Sequence, residues 1–189
     1  MNKKTQTDCD LGNTLHTYGR VARLLHWAMA VLLLGMGAVG YWMVGLPPTD
    51  DKWWWYGVHK SFGLIVLALS IMRLSWRFLN VVPELSRNLP QWQVMAGRSM
   101  VVILYGLMIV MPTTGVLMSF YGGYPIKFFE LFTIPAASVK NTFIADMSYT
   151  VHGWGFWIML VAVAVHVGAA LYHHFVLKDQ VLRRMLTGL

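Results

Sequence analysis

The chain has few charged residues and almost no cysteine. Only 12% of its 189 residues are charged, whereas a soluble domain of this size carries about a quarter. The lone Cys9 cannot form an intramolecular disulfide, and no C-x-x-C-H sequence is present for covalent haem attachment. With 57% hydrophobic residues and a mean hydropathy of +0.52, the composition is that of a membrane protein.

Four apolar runs are long enough to cross a bilayer, which takes about 20 residues. They predict transmembrane helices at about 21–44, 56–79, 99–121 and 148–177. The predicted fold class is an all-α membrane protein, a four-transmembrane-helix bundle in contact with lipid. Residues 1–18 are polar and predict a disordered tail, and residues 19–186 are assigned to the transmembrane domain.

Lysine and arginine are unevenly distributed between the two ends of these spans. Eleven of the 15 lie on the side of the two termini, and the opposite side has only Lys52, Lys60, Lys127 and Lys140. Basic residues mark the cytoplasmic side of a membrane protein, so both termini are expected to be cytoplasmic. The net charge of +7 does not predict a nucleic-acid partner, because the basic residues form no stripe.

Histidines are concentrated in the fourth predicted helix. They are His152, His166, His173 and His174. The fourteen positions between the first two place them on nearly the same helix face, about 21 Å apart along the axis. The predicted topology puts His59 at the depth of His152, on the outer side, and His26 at the depth of His166, on the inner side.

A six-coordinate haem iron needs two opposed ligands, and two imidazoles from different helices can supply them, one on each axial face. We therefore predict two haem sites, with the pairs His26/His166 and His59/His152, for outer-sphere electron transfer rather than oxygen binding. A single membrane histidine can instead form an interhelical hydrogen bond or belong to a proton pathway. Zinc is less favoured, because the imidazoles are divided between two depths.

Other residues near these histidines suit a flat, anionic cofactor. Arg23, Arg73 and Arg77 are candidates to neutralise haem propionates, although positive-inside topology also places arginines there. Glycines near the proposed ligands remove bulk or serve ordinary helix packing: Gly35, Gly37, Gly40, Gly63, Gly153, Gly155 and Gly168.

His173 lies seven residues beyond His166 on a similar helix face. It is a candidate proton-exchanging group beside a quinone, since imidazole titrates near neutral pH. The alternative is an interfacial histidine that faces lipid headgroups. No role is assigned to His16, His174 or Cys9.

A series of motifs covers residues 18–185 in order. They are Arg23-Leu-Leu-His26-Trp27, Val58-His59-Lys60-Ser61-Phe62-Gly63, Arg73-Leu-Ser-Trp-Arg77, Leu104-Tyr105-Gly-Leu-Met, Met111-Pro112-Thr-Thr-Gly115, Val151-His152-Gly153, His166-Val-Gly-Ala-Ala-Leu-Tyr-His173-His174-Phe and Lys178-Asp179. In order and spacing the series resembles the bacterial cytochrome b561 family of four-helix, di-haem b inner-membrane proteins. The chain departs from a common pattern of that family, in which histidines often occur at the positions of Arg98 and Val101.

The resemblance implies two haem b groups ligated by His26, His59, His152 and His166, location in the bacterial inner membrane, and electron exchange with ubiquinone. In one branch superoxide is oxidised on the outer face, and the residue matching His173 is near the quinone. If the protein is an enzyme, it is then an oxidoreductase of the superoxide oxidase type. The residues leave open the electron donor, which is superoxide or a redox partner protein, and the direction of flow.

Two other functions remain as alternatives at this stage. The first is a cytochrome b subunit that anchors a peripheral dehydrogenase or hydrogenase. The second is a cofactor-free, proton-coupled transporter.

The predicted topology is tested with reporter fusions. A fluorescent protein that folds only in the cytoplasm should be bright at the C-terminus, and alkaline phosphatase should be active only after about residue 50 or residue 135. Phosphatase activity at the C-terminus would contradict the assignment.

Overall fold

The structure, a computed structural model, describes residues 11–84 and 89–188 and is almost entirely helical. Four long helices are followed by a short one: α1 (Arg20–Val44), α2 (Asp50–Leu79), α3 (Gln91–Gly122), α4 (Thr142–Phe175) and α5 (Val181–Leu186). Each of the first four is long and apolar enough to cross a membrane. Large apolar side chains such as Val31, Phe78 and Trp154 are exposed, as lipid-facing residues are in a membrane protein. The predicted all-α, four-helix membrane fold is confirmed.

Three helices begin earlier than the hydropathy predicts. Helices α2, α3 and α4 start at Asp50, Gln91 and Thr142 rather than at 56, 99 and 148, and α4 ends at Phe175 rather than at 177. Polar residues favour these earlier starts. Asp50 and Asp51 lie in the first turn of α2, where carboxylates interact favourably with the helix dipole. The Asn141 side chain accepts a hydrogen bond from the Ile144 N–H (3.1 Å) at the start of α4.

Residues 11–18 differ from the predicted disordered tail. The Asn13 side chain donates to the Val81 carbonyl (2.9 Å), and the Glu84 N–H donates to the Leu15 carbonyl (2.9 Å). Asn13 also accepts a hydrogen bond from the Gly19 N–H just before α1. Hydrogen bonds of polar groups, rather than apolar packing, thus hold residues 11–18 in place, and a hydropathy pattern does not reveal such bonds. The rest of the predicted tail, including Cys9, lies outside the described residues.

A β-hairpin occupies the loop between α3 and α4. Strand β1 (Ile126–Phe128) pairs antiparallel with β2 (Phe132–Ile134). The buried Ser61 hydroxyl of α2 lies 2.9 Å from the Lys127 carbonyl oxygen and accepts a hydrogen bond from the Phe129 N–H (3.2 Å). These bonds fix the hairpin to α2, two residues after His59.

The chain divides into two compact units, each built from parts of all four long helices. The first unit contains the described residues of Met1–Ala28, Ile71–Tyr105 and Leu160–Leu189, including α5. The second contains Met29–Ser70 and Gly106–Met159, including the hairpin.

A proline in the second unit removes a helical hydrogen bond, and a serine hydroxyl lies next to the carbonyl that lost its donor. Pro112 lies within α3 and has no N–H, so the Met108 carbonyl four residues earlier lacks its helical donor. The hydroxyl of Ser70, a fully buried residue, lies 3.1 Å from that carbonyl oxygen and 2.7 Å from the Val66 carbonyl oxygen. Freed backbone groups in membrane helices are often satisfied by a neighbouring hydroxyl in this way.

Ser70→Ala should therefore destabilise the protein by about 1 kcal/mol, because the Met108 carbonyl loses a donor in an apolar environment. Pro112→Ala supplies an N–H to that carbonyl, so the cost of Ser70→Ala should shrink in the Pro112→Ala background. Unfolding in mixed micelles measures the cycle, with Ser99→Ala at an exposed position as control. Equal costs of Ser70→Ala in both backgrounds would refute the coupling.

Candidate functional site

The first unit brings His26 of α1 together with His166 of α4. Their ring centroids are 6.2 Å apart and the ring planes are inclined by 55°. The Trp27 ring packs edge-on against His26, with centroids 5.1 Å apart. Two helices that are distant in sequence thus present imidazoles to each other, as the sequence predicts.

The second unit brings His59 of α2 together with His152 of α4. These rings have centroids 6.3 Å apart and planes inclined by 81°. Both predicted pairs are therefore adjacent in space. Their role as iron ligands stays a prediction.

The spacing within each pair matches two rings bound to one metal ion. A metal–imidazole nitrogen bond is about 2 Å long, so rings on opposite sides of one ion have centroids about 6 Å apart. The observed 6.2 and 6.3 Å agree with this value. The donor set also fits, since haem iron in electron-transfer proteins takes nitrogen ligands on both axial faces.

Helix α3 orients the His152 ring. Its Nδ1 lies 2.9 Å from the Met111 carbonyl oxygen and 3.2 Å from the Thr114 hydroxyl. Donation from Nδ1–H to the carbonyl leaves Nε2 unprotonated, which is the usual arrangement behind a metal-ligating histidine. A Cβ at Gly115 would lie 3.4 Å from Cε1 of His152, so the ring packs directly against this part of α3.

The His59 ring lies against a glycine and has an unsatisfied nitrogen. Its Nδ1 is buried and, among residues 11–84 and 89–188, no hydrogen-bond partner reaches it. Such buried polar atoms are rare in native proteins and call for an explanation, such as a bound group. A Cβ at Gly40 of α1 would lie 3.1 Å from Cε1 of His59, which is tighter than most Cβ contacts.

Two of the arginines that are candidates to neutralise haem propionates, Arg73 and Arg77, lie together in the first unit. Arg73 donates from Nη2 to Nδ1 of His26 (2.8 Å), and its Nε lies 3.4 Å from the Tyr105 hydroxyl. The guanidinium groups of Arg73 and Arg77 each lie 5.7 Å from the centroid of the Tyr105 ring. One aromatic ring thus holds two cations beside a proposed iron ligand.

Tyr18, just before α1, belongs to the same cluster. Burial raises the pKa of its phenol, and Arg77 opposes that shift in pKa. The phenol therefore stays neutral and can act as a hydrogen-bond donor near the two guanidinium groups.

Arg23 lies elsewhere in this unit. It donates from Nη1 to the Leu186 carbonyl (3.3 Å), and the Trp27 indole N–H donates to the Met185 carbonyl (3.1 Å). These bonds fasten the C-terminal segment to α1 on either side of the helix turn that carries His26.

His173 pairs with a residue that the sequence prediction missed. Its Nδ1 lies 2.5 Å from Oδ2 of Asp179. His174 instead packs against the Phe175 ring, with centroids 4.8 Å apart. In the sequence, only the Lys178-Asp179 motif after α4 pointed to Asp179 as a residue of interest.

The glycines have different roles. Of the seven noted in the sequence, Gly40 lies against a paired histidine, whereas a Cβ at Gly155 would collide with the sulfur of Met111. Gly155 therefore permits close approach of α4 and α3. Gly115, which lies against His152, is not among the glycines noted in the sequence, although it ends the Met111-Pro112-Thr-Thr-Gly115 motif.

Comparisons with known proteins show which sequences this chain is similar to. The family described as prokaryotic cytochrome b561 matches residues 17–188. Cytochrome b561 homolog 2 of Escherichia coli (strain K12) is 33% identical over 178 residues, which cover 92% of this chain and 93% of the relative. Cytochrome b562 of Cereibacter sphaeroides is 30% identical over 89% of this chain and 94% of the relative. The probable superoxide oxidase CybB of Yersinia pestis is 26% identical over 86% and 91%.

Gly40→Val should disturb the second pair, because the new side chain enters the space occupied by His59. We expect haem content to fall from about two to about one per chain, reflecting one lost iron site. Gly35→Val is the matched control on α1, since nothing lies within 4 Å of a Cβ at that position. Equal haem content in the two variants, measured by absorbance, would argue against a haem site at His59.

Proposed function

The chain belongs to the prokaryotic cytochrome b561 family, and from this premise we propose that it is a two-haem b cytochrome of the bacterial inner membrane. In this proposal it transfers electrons from a donor at the outer face to the ubiquinone pool. The observation that carries the proposal is the pair of two-histidine sites, with centroid spacings of 6.2 and 6.3 Å.

Each site offers one imidazole from α4 and one from another helix. His26 and His166 would hold one haem, and His59 and His152 the other. Haem b held by these histidines would supply reversible one-electron transfer rather than oxygen binding, because two protein nitrogens would hold each iron. The Met111 carbonyl keeps the proton of His152 on Nδ1, which leaves Nε2 as the ligating atom.

The ring of His26 is hydrogen-bonded through Nδ1 to Arg73. Because Arg73 can only donate, its bond to Nδ1 assigns the ring proton of His26 to Nε2. For Nε2 to hold a haem iron, the ring proton would have to lie on Nδ1, where Arg73 could not donate to it. The guanidinium groups of Arg73 and Arg77, both next to the Tyr105 ring, would pair with a haem carboxylate.

We propose superoxide as the outer donor. One relative of this chain is named a probable superoxide oxidase. Lys60, next to His59 in sequence, is half-buried and lies 5.6 Å from the centroid of the Tyr124 ring, where its charge can attract an anion. Quinone reduction is assigned to the first unit, which contains His173.

His166→Ala and His59→Ala should each reduce the haem content to about one per chain, since each removes one axial ligand. The double variant should lack both haems. His174→Ala, which removes a histidine outside both pairs, is the control and should retain the wild-type content. Full haem content in His166→Ala or His59→Ala, quantified by reduced-minus-oxidised absorbance, would contradict the assigned ligands.

The purified protein should catalyse quinone reduction that depends on superoxide and is abolished by superoxide dismutase. Lys60→Gln should lower the rate at low ionic strength several-fold and have less effect at high salt, because screening weakens steering. Lys140→Gln is a control on the same predicted side. A rate no higher than that of the uncatalysed reaction would contradict the superoxide proposal. Co-purification of a peripheral protein in stoichiometric amount would favour the alternative of a cytochrome b subunit that anchors a dehydrogenase or hydrogenase.

A further inference from the structure

The β-hairpin between α3 and α4 is firmly attached to the second unit. At its base, Ile126 is only 2% exposed. At its turn, the Phe129 N–H donates to the buried Ser61 hydroxyl (3.2 Å), and the Phe129 ring packs edge-on against Phe62, with centroids 5.2 Å apart. The Ser61 hydroxyl also lies 2.9 Å from the Lys127 carbonyl oxygen. The hairpin therefore has a defined position beside α2.

The turn of the hairpin has an unusual backbone. Its central residues, Phe129 and Glu130, have φ of 43° and 61°, and the Leu131 N–H donates to the Phe128 carbonyl (2.8 Å). Turns with two positive φ values normally contain asparagine and glycine, because other residues are sterically disfavoured there. Such conformations persist where the surrounding structure enforces them, and they are concentrated at functional sites. The contacts of Phe129 with α2 enforce this one.

The hairpin exposes apolar side chains at this rigid turn. Leu131 is 77% exposed, Phe132 is 53% exposed and Phe129 is 41% exposed. Single exposed apolar residues are common on protein surfaces, but several held together mark an interaction surface. We call these three residues the hairpin tip.

The level of the hairpin in the membrane follows from the contact between His59 and His152. Their rings are adjacent, and α2 and α4 cross the membrane in the same direction, so positions along the two helices can be compared from there. Ser61 lies about 3 Å beyond His59 along α2. The exposed Trp54 lies about 8 Å before His59, and the exposed Trp157 lies about 8 Å after His152. Exposed tryptophans mark the interface where headgroups meet acyl chains, so the attachment of the hairpin lies within that layer.

The charges beside the tip favour lipid over a protein partner. Lys127 and Glu130 are exposed and pair with each other at 3.6 Å, so their charges cancel and offer nothing to complement a charged protein. Tyr124, two residues before β1, is exposed as well and has the amphipathic ring that is common at headgroup level. Exposed apolar side chains next to polar groups in this layer are typical of an element inserted into the boundary between headgroups and acyl chains.

We propose that the hairpin tip inserts into the headgroup region of the leaflet nearest the His59/His152 pair and binds phospholipid there. Through the hydrogen bonds of Ser61, this contact fixes the depth of the part of α2 that carries His59. The inference goes beyond the proposed function and does not depend on the electron donor or acceptor.

Photo-crosslinking in vesicles identifies what the tip contacts. p-Benzoylphenylalanine is incorporated in place of Leu131, whose exposed side chain can be replaced without loss of packing. The full-length protein is reconstituted into vesicles of phosphatidylethanolamine and phosphatidylglycerol. We expect a phospholipid adduct, detected by mass spectrometry, in a yield similar to that obtained at Val31, an exposed residue of α1. Asp51, in the first turn of α2, is the polar control and should give little adduct.

Ser61→Ala tests the attachment of the hairpin. In a Cys9→Ser background, Leu131→Cys is labelled with a charged maleimide present on both sides of the vesicle membrane. Labelling should be several-fold slower than at Asp51→Cys, because lipid shields the thiol. Adding Ser61→Ala should raise the rate at position 131 several-fold, since the hairpin loses its bonds to α2. Ser99→Ala, at an exposed position of α3, is the control and should leave that rate unchanged.

Crosslinking of position 131 mainly to a second copy of the chain, seen as a band of twice the polypeptide mass, would overturn the lipid assignment. So would an adduct yield or a labelling rate equal to that at position 51, because the tip would then face water. A labelling rate that Ser61→Ala does not change would overturn the role of Ser61 in fixing the depth. Each of these results leaves the proposed function intact.

Discussion

Polar atoms inside an apolar bilayer must be satisfied by the protein or by a group bound to it, and the arrangement of this chain follows from that constraint. Where Pro112 leaves the Met108 carbonyl without a donor, the buried hydroxyl of Ser70 supplies one. Where His152 turns Nδ1 toward α3, the Met111 carbonyl accepts. The buried Nδ1 of His59 is one of four buried side-chain atoms for which the described residues provide no partner. It lies in one of the two histidine pairs.

The same constraint explains how much of the site the sequence could predict. Imidazoles in apolar helices need partners, so topology and depth alone paired His26 with His166 and His59 with His152, and the structure places both pairs about 6 Å apart. The four spans were also predictable, because an apolar run long enough to cross a bilayer is a strong signal. The first residues of the helices could not be predicted in this way, because α2 and α4 begin at polar residues, Asp50 and Thr142, that a hydropathy pattern leaves outside the span.

Contacts made by single polar side chains could not be predicted from the pattern. The pairing of Ser70 with the Met108 carbonyl depends on how α2 faces α3, and a serine in a membrane helix has many possible partners. Asp179 was visible only as part of a motif, because its approach to His173 depends on the left-handed backbone of Lys178. Asn13 is similar: its hydrogen bonds order residues that composition alone assigns to a disordered tail.

The central claim is that each histidine pair holds one haem b with both axial positions filled. Quantifying haem per polypeptide in the purified wild-type protein, together with low-temperature electron paramagnetic resonance of the oxidised form, tests it most directly. We predict two haem b groups per chain, both low-spin, and a reduced form whose spectrum does not change under carbon monoxide. A single haem, no haem, or high-spin iron that binds carbon monoxide would contradict it.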